Sequence, residues 1–360
     1  MFKKFLIILS SFLMISCASV QTKENQRSYQ KFWPKLPETP RYEYLMTIYS
    51  SDDFVEKTDT EKMRESLVGK SPPAYVFKRP IDIAVRNGMM YFIDSDKAVV
   101  YAVDFARRRF YGFGYRFEGK LASPVSVAVG KDGLVYVADR GRNSIIVYDN
   151  FGLYRSVINL QQEAIQIAGI AIDDVGGFLY VVDRGGIDSK LHQLLKYTLD
   201  GQLVKKTGIR GDEPLQFNLP LDVSVGSDGS VYVLDSGNFR VQKLSREGEF
   251  IESWGKAGDL LGHFGMPRSI AMDEEDNIYI SDAQFGNVQI FNNKGKLLMS
   301  LGRLSQDDEP GAYSLITGIT VDDRSYLYVL DQYMKKMEVF KKMTEVDQKA
   351  ALDNHKKAKP

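Results

Sequence analysis

The sequence predicts an all-β chain folded as a six-bladed β-propeller of four-stranded blades, and three observations predict it. The pattern Tyr-x-x-Asp recurs at Tyr91, Tyr136, Tyr180, Tyr232, Tyr279 and Tyr328, with spacings of 45, 44, 52, 47 and 49 residues. A short β-like run precedes each copy: PIDIAV from Pro80, PVSVAV from Pro124, IAGIAI from Ile167, PLDVSV from Pro220, PRSIAM from Pro267 and ITGITV from Ile316. Turn residues such as KDG at Lys131, SDG at Ser227 and EDN at Glu275 separate the two runs; a third run follows each aspartate, and a fourth follows in every unit but the last. A hairpin with its turn chemistry in place, extended to four short strands per unit of ~40–50 residues, is the signature of a propeller blade.

Taken from the N-terminus, MFKKFLIILSSFLMISCAS has two lysines, an apolar run and then Cys17, the pattern of an export signal rather than of a spanning helix. The segment Met14-Ile15-Ser16-Cys17 resembles a bacterial lipobox, which implies a signal peptide over residues 1–16 and lipidation of Cys17. Ala18 rather than aspartate after the cysteine implies outer-membrane anchoring in a Gram-negative envelope. Residues 17–39, polar and carrying Pro34 and Pro37, read as a flexible tether. Blade six supplies only three strands of its own, ending near Met343, and an open sheet edge needs cover. The alternating segment RYEYLMTIYS, residues 41–50, is expected to add the fourth strand and close the ring. The stretch from Ser51 to Lys70 then crosses to blade one, with room for one short helix in TDTEKMRESLVGK. The propeller is expected over residues 40–343, and residues 344–360 form a polar tail, a frayed helix or disordered.

Blade four carries the fullest copy of the unit, with Pro220, Tyr232, Asp235, Gly237, Asn238, Arg240 and the Trp254-Gly255 ending. These residues resemble the NHL-repeat family, and the resemblance extends over about residues 75–341. It departs in blade one, which has SDKAVV after Asp94, and in blade three, where RGGIDSKLHQLL is inserted. The resemblance implies a six-bladed propeller and leaves function open, because propellers host binding proteins and enzymes alike.

Composition narrows the function classes. Lys plus Arg equals Asp plus Glu at 47 each, so nothing in the net charge draws the chain to nucleic acid. Cys17 is the only cysteine, which removes disulfides, thiol nucleophiles and Cys-based metal sites. No Gly-x-Ser-x-Gly elbow, phosphate loop or His-Glu-x-x-His motif is present. Each Tyr-x-x-Asp aspartate ends a strand before a polar turn, where a short carboxylate caps turn N–H groups, and six copies around a ring cannot converge on one substrate.

The third position of the inner strands reads Asp82, Ser126, Gly169, Asp222, Ser269, Gly318, a three-blade period. Blades one and four face each other, so Asp82 and Asp222 are expected to oppose each other at the channel mouth, as ligands for a cation or simply as short polar residues on a crowded axis. Around the same mouth the turns supply Arg140, Arg142, Arg184, Arg268 and His263, with His192 in the blade-three insertion, a rim suited to an anionic or polar ligand or to a protein partner. Some related propellers are metal-dependent lyases or lactonases. That resemblance makes Asp82, Asp222, His192 and His263 the candidates for a divalent metal, although two histidines fall short of the three protein ligands usual for catalytic zinc. The expected function is an envelope-anchored binding or scaffolding lipoprotein, monomeric and without a cofactor. It would partner an envelope protein or a small polar ligand and bind no nucleic acid, with a metal-dependent lyase or lactonase-type hydrolase as the alternative.

Overall fold

The computed structural model describes residues 31–54, 58–69, 73, 75–160, 164–186 and 188–357; the leader and Cys17 lie outside them. Six antiparallel sheets form six blades, five of four strands and the last of four with a short fifth strand at its edge, and their innermost strands are Pro80–Arg86, Pro124–Val129, Ile167–Asp173, Asp222–Val225, Pro267–Met272 and Ile316–Val321. Each innermost strand packs beside the next, and the sixth packs beside the first, so the six surround a central channel.

Burial explains why these strands read as continuous apolar runs rather than as an alternating pattern. The second strands are buried throughout, as in Val135–Asp139 and Val231–Asp235, or at every position but the first, as in Met89–Asp94, because neighbouring blades cover both faces. The outer strand Tyr154–Asn159 meets solvent and buries only Ile158. Six apolar clusters result, each lying between two adjacent blades. Tyr91, Ile93, Val127 and Val137 join blades one and two, and Tyr232, Leu234, Ile270 and Ile280 join blades four and five. Each fully buried Val, Leu or Ile contributes about 1.5–3 kcal/mol. No blade can supply this burial alone, and the ring is the unit that does.

In the last blade, Tyr42–Ile48 pairs antiparallel with Lys336–Lys342, with Tyr42 opposite Lys342 and Ile48 opposite Met337. The flexible tether expected as far as residue 39 does not hold for residues 31–39. Phe32–Trp33 adds a further short strand on Tyr42–Ile48, and Trp33 is buried edge-on against Phe340, 5.3 Å between ring centres. An indole able to fill a gap beside Gly311 outweighs the polar character of its neighbours. The crossing to blade one contains a helix, Asp59–Val68, capped by Thr58 and Glu61. The tail forms a second helix, Glu345–Lys357, with no buried residue; Asp347 at its start pairs with Lys341 at 2.9 Å.

Candidate functional site

The channel narrows where the third residues of the inner strands meet. There each side chain bonds the inner strand of the next blade. Asp82 Oδ2 accepts from Val127 N at 2.8 Å, Ser126 Oγ from Ile170 N at 3.3 Å, Asp222 Oδ2 from Ile270 N at 2.9 Å, and Ser269 Oγ from Ile319 N at 3.5 Å. The remaining two positions are glycines because the following strand comes too close for a side chain. A Cβ on Gly169 would lie 2.7 Å from Asp222 Cα, and one on Gly318 2.7 Å from Asp82 Cα. The three-blade period is therefore a girdle in which Asp and Ser staple neighbouring blades and Gly admits the opposing backbone.

Both carboxyls are held far from the ordinary aspartate range. Burial pushes Asp82 up to about 7, with the charge of Asp222 adding to it. Burial raises Asp222 to about 6, against the bonds from Ile270 N and from the Ser269 hydroxyl, which pull the other way. Desolvation disfavours the charged form of each, and a second carboxylate in the same narrow space compounds this.

Above the girdle lies a cavity of about 240 Å³ lined by Asp82, Ser126, Asp222, Ser269 and Thr317 and by three arginines, Arg140, Arg184 and Arg268. Arg140 and Arg184 directly follow the second-strand aspartates of blades two and three, and Arg268 is the second residue of the blade-five inner strand. Arg140 is fixed by its Nε donating to Ile167 O at 2.9 Å. Arg184 carries a buried Nε without a hydrogen-bond partner. Burial lowers the pKa of both Arg140 and Arg268, and in each case Arg184 is the charge that lowers it further. The opposite, wider end of the channel is different: there Asp174 pairs with Arg86, Asp173 with Arg246 and Asp273 with Lys342.

The structure thus brings Asp82, Asp222, Arg140, Arg184 and Arg268 to one mouth, and leaves His263, His192 and Arg142 out of it. His263 sits in the loop before blade five, where Gln289 Nε2 holds its carbonyl at 2.8 Å and its ring lies against Gly258. His192 is fully buried; its Nδ1 accepts from Leu219 N at 3.0 Å and its Nε2 meets Gly186 O, which staples the blade-three insertion to the loop ahead of blade four. Arg142 donates to Glu118 O and Lys120 O and shapes a loop instead of the rim. The histidines therefore do not complete a metal site with the aspartate pair. Among the described residues no group of three or more His, Cys, Asp or Glu side chains could hold a metal ion, and a divalent cation at the girdle would find two carboxylates already engaged by backbone N–H groups.

The six Tyr-x-x-Asp aspartates are all at most 1% exposed. Each reaches back 15 to 18 residues to the loop that leads into its own blade, and all but Asp235 also accept a backbone N–H from the turn that follows. Asp139 accepts from Ala122 N and Ser123 N, both at 2.7 Å, and Asp282 from Gly265 N and Met266 N. Asp235 accepts from Asn218 N at 2.7 Å and from Arg240 Nε at 2.9 Å. A second tier of clamps, with no motif of its own, comes from third-strand side chains: Gln242 bonds Leu215 N, Gln289 bonds Gly262 N, and Glu338 bonds Gly311 N. The narrow range of this offset, 15 to 18 residues, is the signal that could have revealed the first tier. These clamps fix the loops that carry the arginine mouth.

The profile of the NHL repeat matches residues 121–148 and 217–244, the end of the entry loop and the first three strands of blades two and four. The NHL repeat-containing protein 3 of Homo sapiens is 36% identical over 76 residues, 21% of this chain and 21% of the relative, so the match spans about a fifth of that protein's length. A streptogramin B lyase structure is similar over 74% of this chain and 94% of its own, with a TM-score of 0.52 and 14% identity. A nidogen/laminin complex contains a chain similar over 67% of this one and 84% of its own, with a TM-score of 0.52 and 16% identity. At such identities the two structures share the fold and nothing further.

Proposed function

From the premise that this chain is a six-bladed propeller of NHL repeats, we propose that it is a non-enzymatic binding or scaffolding module, held in a bacterial envelope through lipidated Cys17. Its working surface is the face on which the blade-entering loops and the turns after the six aspartates meet. One observation carries this reading. The aspartate clamps fix those loops around a mouth with three arginines, and the same loops expose apolar side chains, Leu260, Leu261, Leu304 and Tyr333. Rigid loops on a stable scaffold are where binding proteins place their recognition residues. The test is recovery of partners from envelope extracts by the purified protein. The wild type is compared with Arg268→Glu on the working face and with Asp323→Lys at the opposite end. A partner retained equally by all three removes this face from the reading.

The alternative, a lyase or lactonase-type hydrolase using a divalent metal at the mouth, draws on the fold shared with the streptogramin B lyase. Metal analysis of the purified protein separates the two. Stoichiometric metal that is lost in the Asp82→Ala/Asp222→Ala double variant favours the enzyme.

A further inference from the structure

We propose that the cavity framed by Arg140, Arg184 and Arg268, with Asp82 and Asp222 at its floor, is a receptor for a small oxyanion, a carboxylate or a phosphoryl-type group. The inference rests on the binding-module reading above and names the ligand class of its site. Three guanidinium groups from three blades meet in about 240 Å³, smaller than the roughly 300–1,000 Å³ typical of sites for drug-sized molecules. The charge that acts on Arg140 and on Arg268 is that of another arginine, Arg184. Elsewhere in the same ring the arginines find carboxylates: Arg86 finds Asp174, Arg240 finds Asp235 and Arg246 finds Asp173.

Holding like charges together costs free energy, and here two carboxyls stand near enough to line the same cavity without relieving it. Burial favours the protonated form of Asp82 and Asp222, with the charge of Asp222 adding to this at Asp82, against the N–H bonds from Val127 and Ile270, which favour the ionised form. An incoming oxyanion supplies the missing negative charge. Guanidinium forks match the planar carboxylate and the tetrahedral phosphoryl group alike. The buried Nε of Arg184, a residue that lines the cavity, has no hydrogen-bond partner in the protein. The protonated carboxyl adds an O–H donor below it, and an ionised one would repel the guest, so affinity must fall as that proton is lost.

The experiment titrates the full-length protein by calorimetry with oxalate and, separately, sulfate, two dianions whose charge is constant between about pH 6 and pH 8. Saturable binding of either is expected, weaker by about tenfold or more in Arg184→Gln and in Arg140→Gln, in line with loss of a charged hydrogen bond. Oxalate preferred over sulfate marks a carboxylate site, and the reverse a phosphoryl site. Affinity for the better probe is expected to drop several-fold from pH 6 to pH 8, and Asp82→Asn to flatten that drop. Arg268→Gln, at the most exposed of the three positions, serves where the other variants melt early. Binding of neither probe overturns the inference, as does binding unchanged by the arginine substitutions. If neither probe binds while an envelope partner is still captured through Arg268, the binding-module reading stands and the oxyanion site fails alone.

Discussion

Replacing Asp82 with Asn tests the reading of the girdle most directly, because it removes a charge while keeping the acceptor for Val127 N. The folded-state carboxyl titrates near 7 and the unfolded one near the ordinary value of 3.8. Below that ordinary value both states are protonated and the carboxyl contributes no difference. As pH rises from there the unfolded state ionises first, so folding takes up a proton, and stability falls until the folded carboxyl also ionises near 7. At ~1.4 kcal/mol per pH unit the full interval sets a ceiling of roughly 4 kcal/mol. Sharing of the proton with Asp222 and water in the channel reduce this, to about 1–2 kcal/mol at pH 8. Urea denaturation of the wild type and of Asp82→Asn at pH 4, 6 and 8 measures it. The asparagine variant is expected to match the wild type at pH 4, gain stability through pH 6 and hold its gain at pH 8. A gain independent of pH, or a loss at pH 8, would refute the account of the pair as a destabilising buried charge.

Two further predictions concern the scaffold. Gly169→Ala places a Cβ 2.6 Å from Asp222 Oδ1 and 2.9 Å from Leu221 O, contacts that backbone cannot relieve, so a loss of about 1–3 kcal/mol is expected in thermal unfolding. Gly186→Ala, whose Cβ would meet only Ser189 at 4.0 Å, should stay within about 0.5 kcal/mol of wild type. Deleting residues 41–50 strips the strand partner from Lys336–Lys342 and uncovers Phe340, and a sharply lowered melting temperature with aggregation is the expected result. An unchanged melting curve would show that this strand is dispensable.

The blades were legible because their period is carried by side chains that the fold needs at every turn. Tyr232 and its equivalents are fully buried between blades, and Asp235 and its equivalents hold the incoming loop, so each unit repeats the same physical demand. The girdle was legible for the same reason: Asp82 and Asp222 occupy a strand position whose neighbours are fixed by the ring. His192 and His263 were misplaced because they sit in loops, where the route of the chain depends on distant partners. Leu219 takes the His192 ring and Gln289 the His263 carbonyl, and neither pairing has a sequence spacing that announces it. Trp33 was read as tether because one buried indole in a polar stretch gives no periodicity to detect. The three arginines were visible one at a time, but not that the charge acting on Arg140 and Arg268 is that of another arginine, since that is a property of three blades at once.

The girdle has one more consequence. Its six positions repeat after half a turn, Asp, Ser, Gly and again Asp, Ser, Gly, so the narrowest part of the channel looks the same from opposite sides. The arginines do not follow this rule: they come from blades two, three and five, and one half of the mouth is more densely charged than the other. A guest on the axis would meet a floor that cannot tell its two ends apart beneath a rim that can, and the direction in which it lies would be decided before it reaches the bottom.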